Sequence, residues 1–332
     1  MIKIVFLSDT HLGFDYPLRP KKEKRRRGID FFNNFDTVLK YAKEEQVDLV
    51  IHGGDLFFRT LIPNPIIDMV YERIFNFAEM GIPMVIVPGN HESSKLPVSL
   101  FMQHPNIYYY DKPQSFQFNL KGIDFDIAGF PCVRKDVLSK FPDIAKAIEP
   151  NLKAESIKFL CMHQSIEGAK VGPSDYTFRN SKEVIPIQDL PSNYDLILSG
   201  HIHRSQILWT KEGKPIIYPG SIERTAFAEK DEAKGFYEIN ICENQEISYK
   251  FIRLNTRPML DVLLEKNLYT SSSLKEEILQ KIGAFPTDSI LRFKMKNMAN
   301  ISLLNVKLLD DIIPATMNYQ LTGLRDLYAK NK

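Results

Sequence analysis

The chain has 332 residues, 44% of them apolar and 25% charged, and a formal net charge of +2. That length points to two domains, or to one large α/β unit with an appendage. The composition excludes wholesale disorder, a collagen-like repeat and a coiled-coil rod. A chain this long buries a large core without disulfides or metals to hold it together, and no stretch approaches the ~18 uninterrupted apolar residues of a membrane span. The first apolar run, Ile4–Leu7, is broken at once by Asp9 and His11, so it reads as a buried strand and not as a signal peptide. Cys132, Cys161 and Cys242 are scattered and show no CxxC spacing, which reads as core thiols in a reducing cytoplasm. Arg19–Arg27 holds seven basic residues and one acid, leaving the rest of the chain net acidic. Such a segment is either a solvated loop or an electrostatic handle for a polyanion, and charge alone does not decide.

In chain order, Lys3–Ser8 reads as a buried strand and Ile29–Glu45 as a helix, with Phe31, Phe32, Phe35, Val38, Leu39 and Ala42 at helical spacing. Asp48–His52 is a second strand. A helix with Asn64 as N-cap and Pro65 in its first turn runs to about Met80, and Met84–Val87 is a third strand. The apolar set of the second helix, Ile66 to Phe77, is wider than one stripe and hints at a dimer interface. Tyr108–Tyr110 reads as a strand with aromatic residues on both faces, and residues 116–127 as a hairpin turning at Lys121-Gly122. Ile157–Met162 and Leu196–Leu198 are continuous apolar strands. Ser205–Thr210, Lys214–Tyr218, Gly235–Ile241 and Ile247–Leu254 read as an antiparallel run. The expected fold class is therefore α/β, a two-sheet sandwich, parallel early and antiparallel late. Around Thr256–Pro258 the pattern resets. Strand Met259–Glu265, helix Ser273–Ile282 capped by Ser273, strand Ile290–Met295 and helix Ile301–Asp311 read as a small second α/β domain, with the boundary at residues 255/256.

Five of the seven histidines fall at predicted strand ends beside carboxylates, asparagine or glycine. In open α/β sheets, ligands sit beyond the carboxyl ends of the strands. The blocks are Asp9-Thr10-His11, Gly53-Gly54-Asp55, Gly89-Asn90-His91-Glu92, His163, and Gly200-His201-Ile202-His203. Asp9 and His11, two apart, are expected to point the same way from an extended segment. Together the blocks give mixed nitrogen and oxygen donors converging on one sheet edge, a set suited to Mn²⁺, Fe or Zn²⁺. The donors are too many for one ion with open positions and natural for two, with Asp55 as the bridge. Two such ions act on phosphate esters, polarising an oxygen and lowering the pKa of a bound water. His91, directly after Asn90, is placed to donate a proton to the leaving oxygen. Glu92 reads either as an exposed neighbour or as a residue orienting a ligand, and His52 as a structural core histidine.

In this order, the blocks resemble the five-block pattern of calcineurin-like metallophosphoesterases over roughly residues 1–255. The resemblance implies one metal held by Asp9, His11, Asp55 and His203, a second held by Asp55, Asn90, His163 and His201, and His91 as the catalytic histidine. Within that superfamily three features are similar to the double-strand-break repair nucleases of the SbcD and meiotic-recombination-eleven type. These are SDTHLG followed by a charged loop and Arg27-Gly28-Ile29-Asp30-Phe31-Phe32, then Gly53–Phe57, then Tyr218-Pro219-Gly220-Ser221-Ile222-Glu223-Arg224 with Phe227, Glu229 and Lys234-Gly235.

The implied fold is a metallophosphoesterase sandwich flanked by helices, domain 1–255, with a small C-terminal α/β DNA-capping domain, 256–332. The implied activity is that of a Mn²⁺-dependent DNA nuclease, a 3′–5′ exonuclease and single-strand or hairpin endonuclease. The implied partners are DNA, a second copy of the chain, and an SbcC-type coiled-coil SMC-like ATPase. On this basis Arg25, Arg26 and Arg27 are candidate DNA contacts. Several relatives carry a second histidine where this chain has Phe58, so His91 does the histidine work alone unless Arg59 adds a cation. The rival expectations are a small-molecule phosphodiesterase using the same site and a DNA-end-binding scaffold without catalysis.

Overall fold

Two six-stranded mixed sheets face each other in the computed structural model, which describes residues 1–16, 25–92, 104–149, 153, 155–179, 181–266, 269–297 and 302–321. The chain divides into two compact units. The first takes the described parts of 1–18, 28–225 and 232–255, and the second the described parts of 19–27, 226–231 and 256–332.

In the first unit, β1 (Ile2–Leu7), β2 (Leu49–His52), β3 (Met84–Ile86) and β4 (Ile107–Tyr109) run parallel, linked by α1 (Gly28–Glu44) and α2 (Asn64–Ala78). The second sheet is built from the hairpin β5 (Gln114–Leu120) and β6 (Ile123–Gly129), then β7 (Ile157–Met162), β12 (Leu196–Ser199), β13 (Gln206–Trp209) and β14 (Pro215–Tyr218). Helix α3 (Val137–Ile148) lies between β6 and β7 in the chain. Four two-residue strands, β8 (Ser165–Ile166), β9 (Lys170–Val171), β10 (Tyr176–Thr177) and β11 (Val184–Ile185), fill the β7–β12 connection.

The continuous apolar runs follow from burial on both faces. In β1, Ile2, Ile4 and Phe6 join Leu49, Ile51, Phe159, Cys161, Leu196 and Leu198 in the core between the sheets. Val5 and Leu7 point the other way, into a core with Phe31, Phe35 and Val38 of α1 and Ile66, Val70 and Ile74 of α2. Leu160, Met162, Ile197 and Ile216 meet Val137 and Phe141 of α3 on the far side. The result is four layers, helix–sheet–sheet–helix.

The antiparallel strands do not form a late sheet of their own. β13 pairs antiparallel with β14 on the edge of the second sheet, but β14 runs parallel to β12. β15 (Gly235–Ile241) and β16 (Ile247–Arg253) cross back and extend the first sheet beside β1. The alternation of part-buried and exposed residues in β16 marks it as an edge strand. The cap of α2 is Pro63, with no side-chain bond, one residue earlier than expected; Pro65 does sit in the first turn. On α2 itself one stripe is buried, Ile66, Val70, Ile74, Phe77 and Ala78.

The second unit stacks a parallel three-stranded sheet, β17 (Met259–Leu264), β18 (Ile290–Met295) and β19 (Asn318–Leu321), against α4 (Ser271–Ile282) and α5 (Val306–Ile312). Thr270 caps α4, and Ser273 is its reciprocal partner in a capping box, so the expected cap residue is the third one in. The strand β19 was not expected from the sequence, and α5, capped by Asn305, begins five residues later than the expected start, which itself lies outside the described residues.

Candidate metal centre

The centre lies where the parallel strands of both sheets end, not along one sheet edge. Asp9 and His11 follow β1, Asp55 follows β2, and Asn90 and His91 lie beyond β3. His163 follows β7, and His201 and His203 follow β12. Asp9 and His11 do not share an extended segment. Asp9, His11 and Asp55 have φ of 51°, 46° and 51°, and His201 has φ of 82°. Left-handed backbone is uncommon outside glycine, though Asp and His enter it more readily than most residues, and it is held where the surroundings over-determine it. Here the strand pairing continues past β1 and β2 as a lace of backbone bonds: Gly53 N to Leu7 O at 2.8 Å, Asp9 N to Gly54 O at 2.8 Å, His11 N to Asp55 O at 3.0 Å and Leu12 N to Leu56 O at 2.9 Å.

Further polar groups lock these loops. The buried His52 accepts from Gly54 N at Nδ1, 3.2 Å, so its proton sits on Nε2, which donates to Thr10 Oγ1 at 3.0 Å; that hydroxyl in turn donates to Leu56 O at 3.0 Å. Burial drives His52 down to about 3, so it stays neutral. Glu92 is buried, and its carboxyl accepts three backbone N–H groups: Gly89 at 2.7 Å, Asp55 at 3.0 Å and Phe57 at 2.9 Å. Burial, with the Asp55 carboxylate adding to it, pushes Glu92 up to about 8. Gly89 packs so close that a Cβ there would lie 2.2 Å from Asp55 N and Oδ1.

The side chains expected to bind metal all come together. His11 Nε2 lies 2.9 Å from His203 Nε2, and His203 Nε2 lies 3.9 Å from Asp9 Oδ1. His163 Nε2 is 3.1 Å from Asn90 Oδ1 and 3.4 Å from Asp55 Oδ2, and His201 Nδ1 is 3.1 Å from the same Asn90 oxygen. Donor atoms of Asp9, His11 and His203, of His11, Asp55 and His91, and of Asp9, Asp55 and His163 lie within 4.8 Å of one another in each trio. Asp9 is further held by Ser8 Oγ and by His201 N at 3.1 Å. His91 stands at the margin, part-exposed, its N–H on Asp55 Oδ1 at 3.0 Å, its Nε2 3.7 Å from Asp55 Oδ2, and its ring stacked with Phe58 at 6.3 Å.

The donor set fits divalent cations. His163 Nδ1 donates to Gly53 O at 2.8 Å, which leaves Nε2 with a bare lone pair aimed at two acceptor oxygens, Asn90 Oδ1 and Asp55 Oδ2. Lone pairs converging in a buried space require a cation among them. Without an ion a proton takes that place. Burial lowers His163, but the Asp55 and Asp9 carboxylates outweigh it and raise the group to about 9. Burial likewise raises Asp55, yet His163, His11 and His91 hold it well below the usual carboxylate range. Burial drives His201 down to about 3 and His11 well below its ordinary value, which leaves both as neutral imidazoles competent to ligate.

A model of the calcineurin-like phosphoesterase family matches residues 2–205. The chain belongs to that family. With the buried donor set, this makes it a metal-dependent phosphoesterase whose site takes divalent ions. Among curated relatives of this phosphoesterase, the DNA double-strand break repair protein Mre11 of Archaeoglobus fulgidus is 25% identical over 334 aligned positions, covering 89% of this chain and 68% of the relative. Among solved structures, a dimetal phosphatase from Danio rerio aligns over 76% of this chain and 96% of its own at 11% identity, with a TM-score of 0.47. Vps29 complexed with zinc, from Entamoeba histolytica, aligns over 76% of this chain and 100% of its own at 9% identity, with a TM-score of 0.31.

Of the basic segment, Arg19, Lys21, Lys22 and Lys24 lie outside the described residues. Arg25 belongs to the second unit, where Nη1 donates to Pro314 O at 2.6 Å and Met317 O at 3.2 Å, and Nη2 donates to Ile313 O at 2.7 Å. Arg26 is half-buried and Arg27 buried. Three supports of the phosphoesterase site escaped the sequence reading. Lys234, fully buried, donates Nζ to His203 O at 2.8 Å. Tyr218 donates its hydroxyl to Gln164 O at 2.9 Å. Arg134 donates Nη2 to the Asn90 carbonyl. Lys234 and Tyr218 stood in the quoted motifs; Arg134 had no signal at all.

Proposed function

We propose that this phosphoesterase is a Mn²⁺-dependent DNA nuclease acting in double-strand-break repair, with 3′–5′ exonuclease and single-strand or hairpin endonuclease activity. The observation that carries the reading is the likeness to the archaeal Mre11 protein. It spans 89% of the chain and so runs well past the phosphoesterase match that ends at residue 205. Asp9, His11, Asp55 and His203 would hold one ion, and Asp55, Asn90, His163 and His201 the other, with Asp55 shared. When bound, such ions polarise phosphate oxygens, lower the pKa of a water and stabilise in-line displacement.

The chain's own residues do the rest. The three N–H bonds to Glu92 fix the turn that carries Asp55. His163 Nδ1–H, anchored on Gly53 O, fixes the ring so that Nε2 would be free to ligate an ion. His91, part-exposed at the margin and tethered by its N–H to Asp55, holds a proton at Nε2 for the leaving sugar oxygen. DNA, a second copy of the chain and an SbcC-type ATPase belong to the same proposal, as do a DNA-contacting role for residues 256–332 and a reducing, cytoplasmic setting for the free thiols.

One observation favours the rival, a small phosphodiester substrate: the Arg25 guanidinium is committed to carbonyl oxygens. The triple variant at Arg25, Arg26 and Arg27 is therefore a test of folding as well as of DNA contact. Cleavage of end-labelled duplex and single-stranded DNA with Mn²⁺, beside bis-p-nitrophenyl phosphate, separates the two. Metal-dependent DNA cleavage that is lost in His91→Ala is expected. Hydrolysis of the small ester with DNA untouched overturns the nuclease reading and leaves the phosphoesterase standing.

A further inference from the structure

After β6 the chain runs past the metal loops before entering α3, and a groove of about 570 Å³ opens along that stretch. That volume lies in the range of small-molecule sites. Two bonds tie the stretch to the residues around Asn90. Cys132 N donates to Pro88 O at 2.9 Å, and Arg134 Nη2 donates to the Asn90 carbonyl. The floor is apolar, with Phe130, Val133 and Ile144. Arg134, Lys135 and Lys140 contribute three cations, and no lining residue is acidic. None of the three cations forms an ion pair with a carboxylate among the described residues, and Lys140 Nζ donates only to the Lys135 carbonyl at 3.0 Å. Three cations with no carboxylate partner among the described residues, beside an apolar floor, suit a ligand that is both flat and anionic.

We propose that this groove is a nucleotide subsite, taking the nucleotide next to the scissile phosphodiester of a single-stranded DNA. Its base would lie on Val133 and Ile144 and its phosphate against Lys135 and Lys140. Arg134 then links the subsite to the Asn90 loop, so that seating the neighbouring nucleotide bears on the metal ligands. The substrate is a polymer and must leave the centre along some surface, and this groove has a matching charge and is tied to the Asn90 loop through the Arg134 side chain. The proposal rests on the nuclease reading.

The test is binding of a fluorescein-labelled oligothymidylate of about eight nucleotides to the full chain, by anisotropy in chelator-treated buffer over a salt series. Cleavage of the same strand is then compared with that of bis-p-nitrophenyl phosphate under Mn²⁺. With Lys135→Ala and Lys140→Ala combined, the slope of log K against log salt is expected to shrink by about 0.7, the share of the one phosphate that both lysines would neutralise. The loss in kcat/KM on the oligonucleotide is expected to exceed that on the small ester roughly tenfold. Ile144→Asp, which puts a carboxylate on the floor, is expected to shift the same ratio in the same direction, with small-ester turnover reporting that the protein is folded. An unmoved salt slope with equal losses on both substrates, in a protein that still cuts DNA, overturns the subsite alone. Failure of the wild-type protein to bind or cut the oligonucleotide, with the small ester still hydrolysed, overturns the nuclease reading and the subsite with it.

Discussion

Replacing Glu92 by alanine removes one acceptor group from three buried backbone donors, Gly89 N at 2.7 Å, Phe57 N at 2.9 Å and Asp55 N at 3.0 Å. A buried donor left unpaired costs about 1–3 kcal/mol, so three give an upper sum of ~3–9 kcal/mol. Two effects offset part of it. The buried carboxyl is itself strained by desolvation, which is why it is pushed up to about 8, and its removal returns that cost. Water entering the vacated space can also bridge two of the donors. The expected loss is then about 2–4 kcal/mol, large for a single substitution. Glu92→Gln keeps one oxygen able to serve Asp55 N and Gly89 N together and loses only the bond to Phe57 N, for about 1–2 kcal/mol. The assay is urea unfolding followed by the fluorescence of Trp209, the only tryptophan of the chain and a residue of the first unit. A chelator must be present throughout, because ions binding the folded state would add their own stabilisation. Alanine costing less than ~1 kcal/mol, or glutamine costing as much as alanine, would refute the idea that this carboxyl anchors the Asp55 turn.

Gly89→Ala places a methyl 2.2 Å from the Asp55 backbone and carboxylate, and no flexible side chain there can yield. It is expected to abolish Mn²⁺-dependent ester hydrolysis and to lower the free energy of unfolding by ~3 kcal/mol. In the second unit, Arg25→Ala strips hydrogen bonds from the carbonyls of Pro314, Ile313 and Met317. It is expected to speed amide hydrogen exchange in α5 and β19 while leaving β1 and β2 protected. Asp261 is held well below the carboxylate range, first by Arg292, whose Nε lies 2.5 Å away, then by Lys230 and Lys294. A depressed pKa means stability that is full above the unfolded value near ~3.9 and is lost as pH falls below it. Asp261→Asn should therefore flatten the acid limb of the second unit's stability curve by a screened ~1 kcal/mol, read by hydrogen exchange between about pH 5 and pH 2; an unchanged acid limb would refute the pairing.

The fold was legible wherever burial on both faces wrote a continuous apolar run. β1, β2, β7 and β12 are such runs, and each was placed within a residue or two of its ends. Sheet membership was not legible. The pattern of Gly235–Ile241 says strand, but only the free edge of β1 tells it to pair there, and that is a fact of topology. Caps slipped by small steps because Asn64 and Ser273 are both good cap residues, while the neighbours Pro63 and Thr270 take the position.

The candidate site was legible as a meeting of blocks, because each sits where a parallel strand must stop. Its backbone was not. Asp9 and His11 were expected in extended chain and stand in left-handed backbone instead, a conformation that the bonds between the β1 and β2 loops impose from outside the motif. Glu92 showed two faces in sequence, and the three backbone donors that gather round its carboxyl belong to the folded loops and not to the motif. Arg134 had no motif at all; the return of the chain after β6 brings it to Asn90.

Hydrolysis of bis-p-nitrophenyl phosphate by chelator-stripped protein, titrated with Mn²⁺ beside calorimetric metal binding, tests the assembled centre most directly. Wild-type protein should be inert when stripped, regain activity with Mn²⁺, and bind two ions. Asp55→Ala should lose turnover and the shared pair together. Full activity in the stripped protein, or an Asp55→Ala variant that still binds two ions and turns over, would contradict the centre described here.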